Sequence, residues 1–569
     1  MIKTPIQFIH DICRQAFVDA YPEHPEIDPI IRPTSKEIFG DYQCNGAIKL
    51  ANSLGISPIK AADTIVEKLD KAIFQSVSIA KSGFINLILS EDYLCKTLSK
   101  LPDYLIQGAL IPAPQTIVVE YSSPNIAKDM HVGHLRSTVI GDALARMLIF
   151  LGHTVVKLNH LGDWGTSFGI LITYMKAHPE RKSDSIADLT ALYKAAKITF
   201  DESDSFKEDA RKNVVALQAG DQENLKLWQD IYRISRQSFA EIYSLLDVEI
   251  QERGESFYNP SLNELIQELE EKQLITISDG AKCIFIDTLP IPLIVQKSDG
   301  GFNYDTTDMA AMRQRALDEK ASRIIIVTDA GQALHFKLIK AASEKAGYLS
   351  EQIRFDHVCF GLVLDAQGKK FKTRSGDSIK LLDLLHIAVE EAAKLIKDKN
   401  PDLPEAEVKQ TSKILGINAV KYADLLCNRI HDYVFSFEKM LRFEGKTATF
   451  ILYSYVRIQG IKRKLHIDNS TLNQIGKDHP FVFSSPEERS LALHLIRFPE
   501  ILLKTVEDLF PNYLADYLYE LAEKFNIFFK KCRIDGSDYK FSRLNLCYLT
   551  ETVLKTGMSL LGLQTVNRL

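Results

Sequence analysis

The chain has 569 residues, enough for several domains that each bury a core of their own. Its 46% hydrophobic and 25% charged residues are the proportions of an ordinary soluble protein, and no apolar run is long enough to span a bilayer. The formal net charge of −5 gives no global attraction to nucleic acid, but local basic patches govern contact with phosphates.

The first 17 residues are amphipathic and interrupted by Asp11, so they lack the apolar centre of a signal peptide. Helical patterns cover 5–20 and 58–69, the second with Ser57 as N-cap ahead of Pro58. Residues 39–51 run from turn into helix, and 81–90 read as a strand. Together, 1–105 make a small α+β module, followed by the proline-rich linker at 111–115. Eight cysteines are scattered without a C-x-x-C pair, so neither a zinc ribbon nor a redox pair is indicated. Reduced thiols in a cytoplasmic protein are expected.

Residues 116–390 alternate strand and helix, the pattern of a parallel, Rossmann-like sheet. The β-branched run at 116–121 is broken by Ser122, Ser123, Pro124 and Asn125. A periodic helix begins near His134. Further strands are expected within 153–165, 322–332 and 357–364, with an insertion, helix-rich to about 246, spanning 176–290. Connecting helices fill 391–449, and 450–569 reads as an all-α bundle. In that bundle Tyr453, Tyr455, Val456 and Ile458 read as helix core. Arg457, Lys462, Arg463 and Lys464 form the clearest basic group.

Three places carry candidate chemistry. His131, Gly133 and His134 fall at a helix N-terminus, where backbone N–H groups and the helix dipole attract anions and imidazoles can donate to phosphate. On its own H-x-G-H is more often a cap or a partly buried pair. A metal reading is weaker, because no third ligand lies nearby and no Glu follows the first His. Tyr304 and Asp308 are four apart at a helix start and share one face, while Glu120 is a charge on an apolar strand that needs a partner. A basic loop, 368–378, follows the last strand.

The run S-S-P-N-I-A-K-D-M-H-V-G-H-L-R-S-T, with Glu120 ahead of it, resembles the ATP-binding segment of class I aminoacyl-tRNA synthetases in its arginyl form. The resemblance extends over the whole chain. It implies a multidomain α/β protein: a tRNA-contacting N-terminal module, a Rossmann-like catalytic domain with a helical insertion, and an anticodon-binding bundle. It implies arginine–tRNA ligase activity, with ATP as substrate, Mg2+ accompanying the ATP and no protein-bound metal. The partners implied are L-arginine and tRNA(Arg), with no membrane, and the chain is expected to be a monomer. By the same resemblance Glu120, Tyr304 and Asp308 hold the guanidinium, and Ser123, Asn125 and Gln332 hold the α-amino and carboxylate end. His131, Gly133 and His134 bind ATP. The 368–378 loop resembles a degenerate K-M-S-K loop with Thr373 at its last position, so Lys370, Lys372, Arg374 and Lys128 are the candidate cations for the departing pyrophosphate. Arginyl enzymes typically activate arginine only with tRNA bound. A catalytically silent RNA-binding paralogue is the alternative, but it has no need of intact histidines and pocket carboxylates. A nucleotidyltransferase outside tRNA chemistry leaves the helical C-terminal region unexplained.

Overall fold

The computed structural model describes residues 3–569 other than 35, 112, 182, 366 and 370–378. Helix Pro5–Ala20 opens with a capping box between Thr4 and Gln7 and buries Ile9, Cys13, Ala16 and Phe17, one stripe at helical spacing. It belongs to a module whose four-stranded sheet is wholly antiparallel, Phe74–Ile79 and Ile31–Pro33 forming its edges. Ser57 stands at the N-cap of Pro58–Lys68, as expected, but its hydroxyl makes no capping bond.

The central sheet contains β1 (Thr116–Glu120), β2 (Thr154–Asn159), β3 (Gln251–Glu252), β4 (Arg323–Asp329) and β5 (Arg354–Phe360). Their order is β5-β4-β1-β2-β3, and every pair is parallel. The helices that matter for the site are α1 (Val132–Phe150), α2 (Gln222–Leu246), α3 (Tyr304–Leu317) and α4 (Ala333–Lys345). The period-2 rule divides the strands. Val118, Leu158, Ile324 and Ile326 face one core with Met309, Met312 and Ile339. Ile117, Val119, Ile325 and Val327 face the other with Leu135, Val139 and Leu144. Gly141 lets α1 press against the exit of β1, because a Cβ there would lie 2.3 Å from the Tyr121 side chain.

The expected insertion is helix-rich to Leu246, as its sequence indicates, and two shorter helices, Glu255–Tyr258 and Leu262–Glu271, follow. Past Leu246 the chain also supplies β3 to the main sheet and a separate antiparallel sheet, Thr276–Ser278, Ala281–Ile284 and Leu293–Gln296. Strands of two to four residues carry too little alternation to be read from sequence.

Beyond the sheet the chain is almost entirely helical. Helix α5 (Glu405–Leu426) leads to α6 (Ala448–Leu465), α7 (Asn512–Lys531) and α8 (Lys540–Leu560), which pack around Ile451, Leu452, Ile458, Leu518, Phe525 and Val553. Tyr455 and Ile458 are buried as expected, but Tyr453 is 42% exposed and lies against Arg457 instead. The bundle also holds the N-terminal module. Arg489 makes a two-pronged bond to Asp41 at 3.0 and 2.7 Å, and Glu500 accepts from Tyr42 at 2.8 Å and Ile6 N–H at 2.7 Å. No helix among the described residues is long and apolar enough to cross a membrane.

Candidate active site

Strand order reverses between β1 and β4, and the crevice beyond their C-terminal ends is where such sheets bind ligands. A cavity of about 460 Å³ opens there. It is lined by Glu120, Ser123, Asn125, His131, Gly133, His134, Tyr304, Asp308 and Gln332, nine of the residues picked out in the sequence. Lys128 is not on its wall: it is exposed, with Nζ 5.1 Å from the centre of the Tyr193 ring. Lys370, Lys372 and Arg374 lie outside the described residues. On the far side of that segment, Lys380 pairs with His131, and Leu381 N–H donates to Met130 at 2.8 Å.

The turn after β1 is strained. Ser122 and Ser123 take φ of 71° and 46°, a region that costs an ordinary residue roughly 1–3 kcal/mol. Surrounding hydrogen bonds hold it there. Ser122 N–H donates to Ser137 Oγ at 2.9 Å, and Ser123 N–H to Asn159 Oδ1 at 3.0 Å. The Tyr243 hydroxyl, on α2, meets both Ser122 Oγ at 2.8 Å and Asn159 Nδ2 at 2.9 Å. Tyr243→Phe removes the hydroxyl from this buried network and is expected to destabilise the turn by about 1–3 kcal/mol. The check is amide hydrogen exchange at Ser122 and Ser123, which should quicken roughly tenfold for about 1.4 kcal/mol. Unchanged exchange means the turn holds without Tyr243.

The two histidines are ordered by backbone contacts. His131 caps α1, its Nδ1 accepting from Gly133 N–H at 3.1 Å, and His134 Nδ1 accepts from His131 N–H at 3.0 Å. A neutral ring whose Nδ1 accepts carries its proton on Nε2, so both rings present Nε2–H donors. Burial, with the Lys128 charge adding to it, lowers His134 to about 3, which keeps it neutral under physiological conditions. Gly133 makes room for the first ring: a Cβ there would lie 2.9 Å from His131 Cε1. Buried Arg136 ties this helix to the end of β5 and to the 431 loop, donating to the Gly361 and His431 carbonyls at 2.8 and 3.1 Å.

The opposite end of the cavity is acidic. Asp308 is buried on α3, with Oδ2 2.6 Å from His335 Nε2 and Oδ1 3.6 Å from His160 Nε2. Burial pushes its pKa up, but the His335 hydrogen bond and the charges on His160, His335 and Arg315 outweigh that and lower it. Tyr304, 58% exposed, forms a side wall with its ring edge-on to His335 at 5.1 Å. Asn125 bridges to Gly162, where a Cβ would overlap its amide oxygen, and Gln332 lies exposed in the turn after β4. Glu120 does have the partner its strand demands, and it is internal: Arg315 Nη2 lies 2.6 Å from Glu120 Oε2, both groups buried.

Sequence reasoning missed Glu255, His160, His335 and Arg315. Glu255 lines the same cavity at the start of a four-residue helix after β3. Burial, with the Asp308 and Asp163 charges adding, pushes it up to about 8. Its only local signal is Gly254, where a Cβ would strike the Asp163 carboxylate at 2.4 Å.

Comparison with known proteins places this geometry. Sequence models of three families match: the arginyl tRNA synthetase N terminal domain over 7–89, tRNA synthetases class I (R), catalytic domain, over 100–437, and the DALR anticodon binding domain over 451–569. An arginine–tRNA ligase of Chlamydia caviae is 52% identical over 569 residues, and that of Protochlamydia amoebophila 49% over 588, each covering 100% of both chains. The crystal structure of arginyl-tRNA synthetase from Plasmodium falciparum superposes with a TM-score of 0.87 at 32% identity, covering 100% of both chains. The Thermus thermophilus arginyl-tRNA synthetase shares the fold, with a TM-score of 0.79 at 22% identity over 99% of this chain and 100% of that one. With a catalytic-domain match over more than half its length and full-length relatives at about half identity, the chain belongs to the arginyl-tRNA synthetase family of class I.

Proposed function

We infer that this cavity is where arginine is activated with ATP and passed to tRNA(Arg). The observation that carries the reading is the meeting of a histidine pair at a helix N-terminus and a cluster of carboxylates in one crevice at the switch point. The arginine carboxylate attacks the α-phosphate of ATP in line, giving arginyl-adenylate and pyrophosphate. The terminal adenosine 2′-hydroxyl of the tRNA then attacks the activated carbonyl and releases AMP. Positioning and charge stabilisation dominate such phosphoryl chemistry.

The guanidinium goes to Asp308 and Glu255, with Tyr304 as its wall. Glu120, already balanced by Arg315, adds its second oxygen. Ser123, Asn125 and Gln332 take the α-amino and carboxylate end. His131 and His134 donate Nε2–H to the phosphates, beside the N–H groups of the first turn of α1. Mg2+ enters with ATP as part of the substrate; among the described residues no group of three or more His, Cys, Asp or Glu is placed to hold a metal. In the C-terminal domain Arg457 lies between the rings of Tyr453 and Phe529, 4.9 Å from each, beside a cavity of about 670 Å³. Aromatic faces beside a guanidinium suit a splayed tRNA base. The chain works as a monomer in the cytoplasm: the C-terminal bundle clasps the N-terminal module within one chain through Arg489 and Glu500, and its eight cysteines are free thiols.

Arginine-dependent ATP–pyrophosphate exchange, run with tRNA present, tests this division. Substitutions at the acidic end should raise the arginine KM, and substitutions at the histidines should lower the rate. Equal losses of both kinds from every substitution would remove the assignment.

A further inference from the structure

His335 is held between two carboxylates. Its Nδ1 lies 3.2 Å from Asp305 and its Nε2 lies 2.6 Å from Asp308. Ionised carboxylates only accept hydrogen bonds, and a neutral imidazole donates one; satisfying both contacts takes the doubly protonated ring. The chain therefore already places a cation on Asp308, the carboxylate to which the preceding section assigns the substrate's guanidinium. We propose that His335 is a specificity-determining residue whose imidazolium competes with the guanidinium for Asp308, so that arginine binds by expelling a proton. In that step the Nε2–H bond breaks and the proton passes to the buffer. The pair of electrons stays on Nε2, the Nδ1–H bond to Asp305 is kept, and the guanidinium takes the Asp308 oxygen.

The surroundings set the direction. On α3 the ring faces Tyr304, Asp305 and Asp308. Behind Asp308 stand His160, the charged Arg315 and Glu255, a carboxyl that burial raises to about 8. From β5, His357 influences the ring, and burial lowers that histidine to about 4, so it brings no charge at neutral pH. Burial pulls His335 down, but the hydrogen bonds and charges of Asp305 and Asp308 outweigh it and raise the ring to about 9. A second cation brought to Asp308 disfavours the imidazolium, since like charges within a few ångströms oppose each other. A neutral ligand of arginine's shape leaves the ring charged.

This inference rests on the arginine site proposed above, and the test separates the two. Calorimetric titration of the full chain with arginine at pH 7.5, in phosphate and in Tris, counts protons through the difference in buffer ionisation heat. The expected result is release of about one proton or more per arginine. By linkage, Kd should tighten by close to tenfold per pH unit between about pH 6.5 and 8.5. His335→Gln keeps one donor and cannot carry the charge, so its proton count should fall by about one; any remainder belongs to Glu255. A wild-type count near zero overturns the proposal whether or not the variant folds. So does a folded His335→Gln protein with an unchanged count. If Asp308→Ala binds arginine as tightly as the wild type, the site itself is misplaced and the proposal falls with it. Loss of binding in that variant, with no proton released by the wild type, overturns the proton coupling alone.

Discussion

Asp308→Ala should weaken arginine binding by about 3–5 kcal/mol, a rise in arginine KM of roughly 10²–10³-fold or more. The size follows from burial. Asp308 lies in a low-dielectric cavity with His335 at 2.6 Å and His160 at 3.6 Å. Removing it takes away the guanidinium's anion and leaves His335 with Asp305 alone. Truncating one side of such a pair costs more than the pair's net worth, because the remaining charge has already lost its water. Asp308→Asn keeps the shape and an acceptor but not the charge, and it should lose nearly as much. The KM for ATP should move little in either variant. An arginine KM unchanged in Asp308→Ala would place the guanidinium elsewhere.

His134→Ala should slow adenylate formation about 10²-fold, the usual loss when one fixed donor to developing charge is removed. The ring is aimed before substrate arrives, since Nδ1 is held by His131 N–H at 3.0 Å and only Nε2–H is left to point outward. The same substitution also breaks the capping box of α1, worth about 1 kcal/mol of stability. His134→Gln separates the two effects, because glutamine at the third helical position restores the box. Melting temperature should recover in that variant while single-turnover adenylation stays slow. Recovery of both would make the ring a structural cap.

Much of this site was legible because it depends on local rules. The buried strand ending at Glu120, the turn at Ser122 and Ser123, and the helix after His131 follow from apolar runs and breakers. Cavity residues supplied by those segments were found. The expected helix start near His134 came late, since His131 itself is the N-cap. What stayed hidden is held by long-range contact. Glu255 follows a strand of two residues, too short for any pattern. Arg315 lies fully buried against Glu120, nearly 200 positions away in the chain, a contact that no local pattern announces. His335 is the third residue of α4, and its two carboxylates come from the neighbouring helix α3. Tyr453 was read as core because aromatic spacing does not say which face the bundle covers.

The central claim is that charge, not shape, selects the substrate, and citrulline tests it most directly. It keeps the length and outline of arginine but replaces the cation with a neutral urea. Its inhibition constant should be measured against arginine in tRNA-supported ATP–pyrophosphate exchange. Carboxylates left facing a neutral group predict inhibition weaker than the arginine KM by roughly 10²-fold or more. An inhibition constant equal to that KM would contradict the account.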